Sequence, residues 1–361
     1  APVIGLEAEN PSGEGNRLGR DSKGAALMFL DRIAEELGLP INKIEVCPGR
    51  VVSIMTWEGT NPALKTILLN SHTDCVPVYH VKTWSTFSSP DARCRGKHLR
   101  TYIQAIRRLK ADGRKFTRTI HLMFVTDEEV GGLKGMETFV KLPEFQKLNI
   151  SFALDEGLHP KLHPIPYILV PFSDRSVINS FLDYREKEKV RLVRQCFTLG
   201  DVTTINVTMV KVGVAKTVIP AEMDVSFDLR IPPTVNLQVL TSNKAGEGIT
   251  YEFALVSCTQ RHHSIHTLMS DPWWNIFSTT CKAMNMTLEK EIFPAARDSR
   301  GYLKIMFVLL LVLALSAIGF SPMNWTPILL HNHNEYLNEQ VFLKTSSFSS
   351  IDLRPCLVPL E

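Results

Sequence analysis

The chain has 361 residues, a length of about two or three domains. Hydrophobic residues make up 44% and charged residues 21%, which excludes a long disordered or collagen-like chain. Lys and Arg number 40 against 37 Asp and Glu; the net charge is only +3 and the basic residues are not concentrated, so no nucleic-acid partner is expected.

Residues 1–22 read as a lead-in rich in Gly, Glu, Asn and Arg, with no apolar core of a secretory signal. From Ser22 to Gly38, Ala26, Met28, Phe29, Ile33, Ala34 and Leu37 recur at helical spacing and predict an amphipathic helix. Ile44–Cys47, Val51–Trp57 and Thr66–Asn70 read as strands rich in β-branched residues. A helix is expected over Leu99–Lys110, a strand over Thr119–Val125, a helix over Met136–Val140 and a strand over Ile150–Leu154. Such alternation implies an α/β layer with a mainly parallel sheet.

A different texture begins near residue 200. Thr203–Val212 and Glu222–Arg230 alternate and predict an antiparallel pair, followed by a helix over Asn236–Ser242 and a strand over Thr250–Val256. This reads as a small α+β domain inserted into the larger one. Pro272–Met286 then reads as a helix of the main domain, with Asp271 as its cap. Ile305–Phe320 is a run of 16 residues without a charge. A membrane span needs about 20, so a buried strand or an inserted apolar segment is expected, and a membrane anchor is not. The seven cysteines are odd in number, widely spaced and free of C-x-x-C. That pattern suits a reducing, cytoplasmic setting.

Several strand ends carry metal-ligand chemistry. Ser71-His72-Thr73-Asp74 follows one apolar strand, Thr126-Asp127-Glu128-Glu129 a second, and Asp155-Glu156 ends a third. In open α/β sheets ligands bind beyond the carboxyl ends of the strands. Imidazole is the commonest metal ligand, and adjacent carboxylates repel unless a cation neutralises them or water solvates them. His331 and His333 add nitrogen donors near the C-terminus. Each group alone also fits a loop histidine or a solvated acidic turn. Jointly they suit zinc with carboxylate and imidazole ligands.

The stretches LLNSHTDCVPV (68–78), AIRRLKADGRKFTRTIHLMFVTDEEVGGLKGMETFV (105–140), FALDEG (152–157), VIPAEMDVSFDLR (218–230), DPWWNIFSTTCKAMNMTLE (271–289) and GFSPMNWTPILLHNHNE (319–335) together resemble the M20 metallopeptidase family. The resemblance runs, with gaps, from about residue 24 to 344. It implies an α/β zinc-exopeptidase-like fold: a mixed, mostly parallel sheet with helices on both faces, plus an inserted α+β lid and dimerisation domain. The expected division is a catalytic domain formed by 1–172 and 261–361, with the lid over 173–260. The activity implied is zinc-dependent hydrolysis of N-acyl-L-amino acids to a carboxylic acid and a free L-amino acid. Carried over by position, His72, Glu129, Glu156 and His331 are metal ligands. Asp74 orients His72, Glu128 is the general base, and Arg230 binds the substrate carboxylate. The resemblance further implies a homodimer through the lid.

The chain also departs from the family's pattern. The family's metal-bridging aspartate has no counterpart in Ala92–His98, so one zinc or none is expected here instead of the family's two. The lid segment expected after Ser173–Ser176, with its histidine, is missing, so the lid reads as truncated. Thr217 replaces an asparagine, and Lys304 to about Val312 reads as an insertion. The alternative reading is a catalytically inactive binding protein of the same descent, or the product of an aberrant splice or gene model.

Overall fold

In the computed structural model, residues 18–74, 97–130, 132–156, 176–194, 197, 199–212, 223–232, 235, 271–283, 287–288, 316–321 and 340–342 are described. The chain divides into two compact units. One comprises Ala1–Pro164, Ser264–Leu288 and Arg297–Glu361; the other comprises Ile165–His263 and Glu289–Ala296.

The first unit is built on a six-stranded mixed sheet. Its strands are β1 (Ile41–Cys47), β2 (Arg50–Trp57), β3 (Thr66–His72), β4 (Ile120–Val125), β5 (Ile150–Glu156) and β8 (Ser316–Phe320), in the order β1-β2-β4-β3-β5-β8. β1, β2 and β4 pair antiparallel, whereas β4, β3, β5 and β8 run parallel. The register sets His72 opposite Val125 and Glu156 opposite Phe320. The carboxyl ends of the parallel strands therefore open on one edge, where the expected ligands emerge.

β3 and β4 are buried along almost their whole length, as parallel strands covered on both faces must be. Successive side chains leave by opposite faces. Ile67, Leu69, Leu122, Phe124 and Leu154 join one core with helices α1 (Leu18–Leu37), α2 (Lys97–Ala111) and α6 (Pro272–Ala283). Leu68, Met123, Val125 and Ala153 join a second core with α3 (Met136–Phe139) and the flanking Phe145 of α4 (Pro143–Lys147). Helices thus cover both faces.

α1 buries Leu30, Ile33, Ala34 and Leu37 and ends at Gly38, whose φ of +59° turns the chain. Met28 departs from the expected face and is 72% exposed. At about 100° per residue it lies nearly opposite Leu30, Ile33 and Leu37. α6 opens as expected, with the Asp271 carboxylate accepting the Trp274 N–H at 2.7 Å. It packs through Trp273, stacked on Phe152 of β5 with ring centroids 4.8 Å apart, and Phe277, edge-on to Phe320 of β8. β8 is the end of the apolar run 305–320, and it is a sheet strand. Residues 305–315 lie outside the described set. Among the described residues no helix is long and apolar enough to cross a membrane.

In the second unit, α5 (Ser176–Arg194) stands where the sequence shows no clear apolar period. Its helix-forming charged residues pair along the surface, Glu186 with Lys189 and Glu188 with Arg191. Glu188 is buried and also accepts the Thr203 N–H at 2.9 Å, tying α5 to the strand that follows. β6 (Thr204–Val212) and β7 (Met223–Arg230) form the expected antiparallel pair, with an irregularity between Val207 and Met209. The elements expected at 236–242 and 250–256 lie outside the described residues.

His121 makes the core sensitive to acid. Its ring is buried in β4, with Nδ1 3.1 Å from the Thr56 hydroxyl. Burial pulls its pKa down to about 4, against a smaller opposing pull from the Leu148 carbonyl. The unfolded chain therefore takes up this proton first. Stability is lost as pH falls from about 6.5 to about 4, by roughly 3 kcal/mol from this group. Urea unfolding across that range is expected to show a flatter pH dependence in His121→Gln than in the parent. An unchanged slope would remove His121 as the cause.

Candidate metal centre

β3 delivers His72 to the open edge of the sheet, and β4 and β5 flank it. The His72 Nδ1 lies 2.9 Å from the Asp74 main-chain carbonyl, which can only accept, so the Nδ1–H donates to it. Nε2 is left to face Glu156, 3.6 Å from its Oε2. Glu156 Oε1 accepts the Ser71 hydroxyl at 2.9 Å. Beside it the buried Asp155 accepts from Asn70 Nδ2 at 3.1 Å and from the Glu156 N–H at 2.9 Å. These links join neighbouring strands in register, which is why residues far apart in sequence meet here.

β4 ends in a single 3-10 turn, Glu128–Val130. Asp74 Oδ2 accepts the Glu129 N–H at 3.1 Å, linking the ends of β3 and β4. Ligand atoms of His72, Glu128 and Glu129 all lie within 4.8 Å of one another. On a tetrahedral zinc such atoms stand about 3.3–3.5 Å apart, so small side-chain rotations suffice to close the set.

The electrostatics favour a cation. Burial by itself pulls the His72 pKa down, but the carboxylates of Glu156, Asp74 and Glu128 together outweigh it and hold the pKa well above its ordinary value. Burial pushes Asp74 up, yet the His72 imidazolium and the Glu129 amide bring it below the usual range. Burial raises Glu128 to about 7; His72 opposes this, and Glu156, Glu129 and Asp155 add to it. Asp74 Oδ1 is buried without a hydrogen-bond partner, 3.3 Å from the His72 Nδ1. The His72 imidazole beside the Glu128, Glu129 and Glu156 carboxylates matches a nitrogen-and-oxygen metal ligand set.

Five of the expected residues therefore meet here: His72, Asp74, Glu128, Glu129 and Glu156. Two details differ from expectation. Asp74 meets the His72 N–H through its main-chain carbonyl, because β3 stops at His72 and the chain turns. Asp127 does not join its neighbours in one acidic cluster. At φ +76° it turns into its own loop, where Oδ2 accepts the Lys134 N–H at 3.0 Å and Oδ1 faces Arg50 Nη2 at 3.3 Å. Sequence reasoning did not find Arg50, since nothing local marks it. Arg230 is the last residue of β7, paired with Thr204 in the other unit. His331, and the region 92–96 where a bridging carboxylate was sought, lie outside the described residues.

Comparison with known proteins adds to this geometry. Residues 68–349 match Peptidase family M20/M25/M40. The chain is 44% identical to aminoacylase-1 of Mus musculus, covering 89% of this chain and 87% of that protein. It is 41% identical to aminoacylase-1 of Homo sapiens, covering 93% and 90%. The aligned span with the mouse protein is 368 positions, longer than this chain, so it includes gaps opposite residues that the relative alone carries. Among solved structures, human carnosine dipeptidase 1 matches with a TM-score of 0.60 at 13% identity, covering 99% of this chain and 95% of that one. That likeness concerns the fold.

Proposed function

This chain belongs to peptidase family M20/M25/M40, and from that premise we propose that it hydrolyses N-acyl-L-amino acids to a carboxylic acid and a free L-amino acid, using zinc. The observation that carries the reading is the convergence of His72, Glu128, Glu129 and Glu156 at the carboxyl ends of three adjacent strands. The identity to aminoacylase-1 supports the substrate class.

His72 through Nε2, Glu129 and Glu156 would be metal ligands; by the resemblance His72 would hold one zinc of the family's pair and His331 the other. Asp74 positions both sides of the site: its carbonyl fixes the His72 tautomer, and its carboxylate holds the Glu129 amide. When bound, zinc polarises the amide carbonyl and lowers the pKa of water. Glu128 takes the proton of the attacking water as the carbon–oxygen bond forms. It then delivers that proton to the leaving nitrogen as the carbon–nitrogen bond breaks. Burial raises this carboxyl to about 7 in the metal-free site, and a bound dication would lower it towards the carboxylate form a base needs. Arg230 is assigned to the substrate carboxylate, a group its forked guanidinium matches.

The expected content is one zinc per chain or none, because 92–98 offers no bridging carboxylate. The catalytic domain is assigned to 1–172 with 261–361, and a shortened lid to 173–260. Compact units dividing near residues 165 and 263, and an aligned span longer than the chain, support this division. Homodimerisation through the lid is carried over from the resemblance. The cysteine pattern, odd in number, widely spaced and without C-x-x-C, supports a cytoplasmic setting.

The test is zinc content and N-acetyl-L-methionine hydrolysis on one monodisperse sample. Turnover that stops on chelation and returns with zinc is expected. Zinc-loaded protein without turnover would overturn the reading. Zinc affinity is also expected to rise with pH through the neutral range, because Nε2 must shed its proton to ligate. Titration calorimetry in two buffers of different ionisation enthalpy should register that proton's release.

A further inference from the structure

We propose that Arg50 and Asp127 form a brace that positions Glu128 and Glu129 for the metal centre. The inference rests on the reading of that centre given above. Neither residue touches the proposed metal or substrate, so both are positioning residues.

The brace follows from the register. β2 and β4 pair antiparallel with Ser53 opposite Phe124. Three residues back from Ser53 is Arg50, and three residues on from Phe124 is Asp127. The β1–β2 hairpin therefore brings Arg50 to the point where β4 gives way to the ligand turn. Its Nη2 lies 3.3 Å from Asp127 Oδ1, and Asp127 is buried.

Asp127 needs holding. Its φ of +76° is a left-handed conformation that is uncommon outside glycine, though Asp and Asn adopt it more readily than other residues. Several contacts keep it there. Its main-chain carbonyl accepts the Gly132 N–H at 2.6 Å, its Oδ2 accepts the Lys134 N–H at 3.0 Å, and its Oδ1 faces Arg50. The next two residues in the chain are Glu128 and Glu129. Loss of the guanidinium would leave a buried carboxylate short of its countercharge. One relief is to swing Asp127 outward, which would rotate the peptides that carry both glutamates. Displacements of about 1 Å at such groups cost up to about a hundredfold in rate.

The test compares the parent with Arg50→Met, Arg50→Lys and Asp127→Asn. Asparagine tolerates the left-handed conformation and can still accept the Lys134 N–H, but it carries no charge. Arg50→Met is expected to weaken zinc binding about 10–100-fold in competition with a chromophoric chelator. It should lower kcat for N-acetyl-L-methionine with little change in KM, and Arg50→Lys should recover most of both losses. Amide exchange in the peptide spanning 126–135 should quicken about tenfold or more, while that of β3 and β5 stays as in the parent. If Arg50→Met does not fold, Asp127→Asn is read for the same zinc and exchange changes. Zinc affinity and exchange within twofold of the parent in the folded variants would overturn the brace. A parent that binds zinc without turnover would sink the hydrolase reading, and the zinc and exchange comparisons would still decide on the brace. A parent that binds no zinc leaves the exchange comparison to decide it.

Discussion

Glu128→Gln is expected to lower kcat for N-acetyl-L-methionine by about 10²–10⁴-fold while zinc content is retained. The amide has nearly the shape of the carboxyl and cannot take a proton from water. The parent side chain is well suited to that task, since burial raises its pKa to about 7 despite the opposing charge of His72. The same variant separates two roles. The Glu128 carboxylate stands within 4.8 Å of the ligand atoms of His72 and Glu129, so it could bind metal instead. A base loses turnover and leaves zinc in place; a ligand loses zinc as well. The pH profile gives a second check. The base works ionised, so parent activity falls as pH drops through its pKa. A bound dication favours the carboxylate, which moves that acid limb below 7. The limb should vanish in the Gln variant. Zinc loss in parallel with kcat would reassign Glu128 as a ligand.

Gly135→Ala is expected to destabilise the fold by about 3 kcal/mol or more. A Cβ at this position would clash with the Thr126 carbonyl oxygen and stand 3.0 Å from its carbon. Both are main-chain atoms, so no side chain can swing away. The loop must move, and with it Thr126–Glu129, which carry the proposed base and one ligand. Gly113→Ala is the control. Gly113 has a positive φ, +66°, unlike Gly135 at −102°, and nothing lies within 4 Å of the added carbon. It should cost only the backbone penalty of about 1–2 kcal/mol. Urea unfolding of both variants measures the difference. Equal costs would show that the loop yields easily and that the close approach is unimportant.

Much of this architecture was legible in local pattern. The apolar runs of β3, β4 and β5, each ending in His, Asp or Glu, marked both the parallel sheet and the edge where chemistry gathers. His72 and Glu156 were recognisable because each ends a strand, and Glu128 and Glu129 because they follow one closely; strand ends in one parallel sheet lie together. Asp271 before Pro272 marked the start of α6, and alternation marked β6 and β7. α5 was missed because its charged residues form helix by propensity and local pairing, with little apolar periodicity to read. Met28 was misplaced because apolar character alone does not say which side of a helix a residue occupies.

The sequence by itself thus determined the strand and helix periods, the order of the elements and the chemical character of the site, since all of these are written in residues close together along the chain. Tertiary structure alone decided which acidic residues share the site. It turned Asp127 away from Glu128, brought Arg50 across from another hairpin, and gave the His72 N–H to a carbonyl. The physical reason is that strand register sets distances between residues tens of positions apart, and only burial in that register turns a row of ordinary carboxyls into groups whose proton affinities differ.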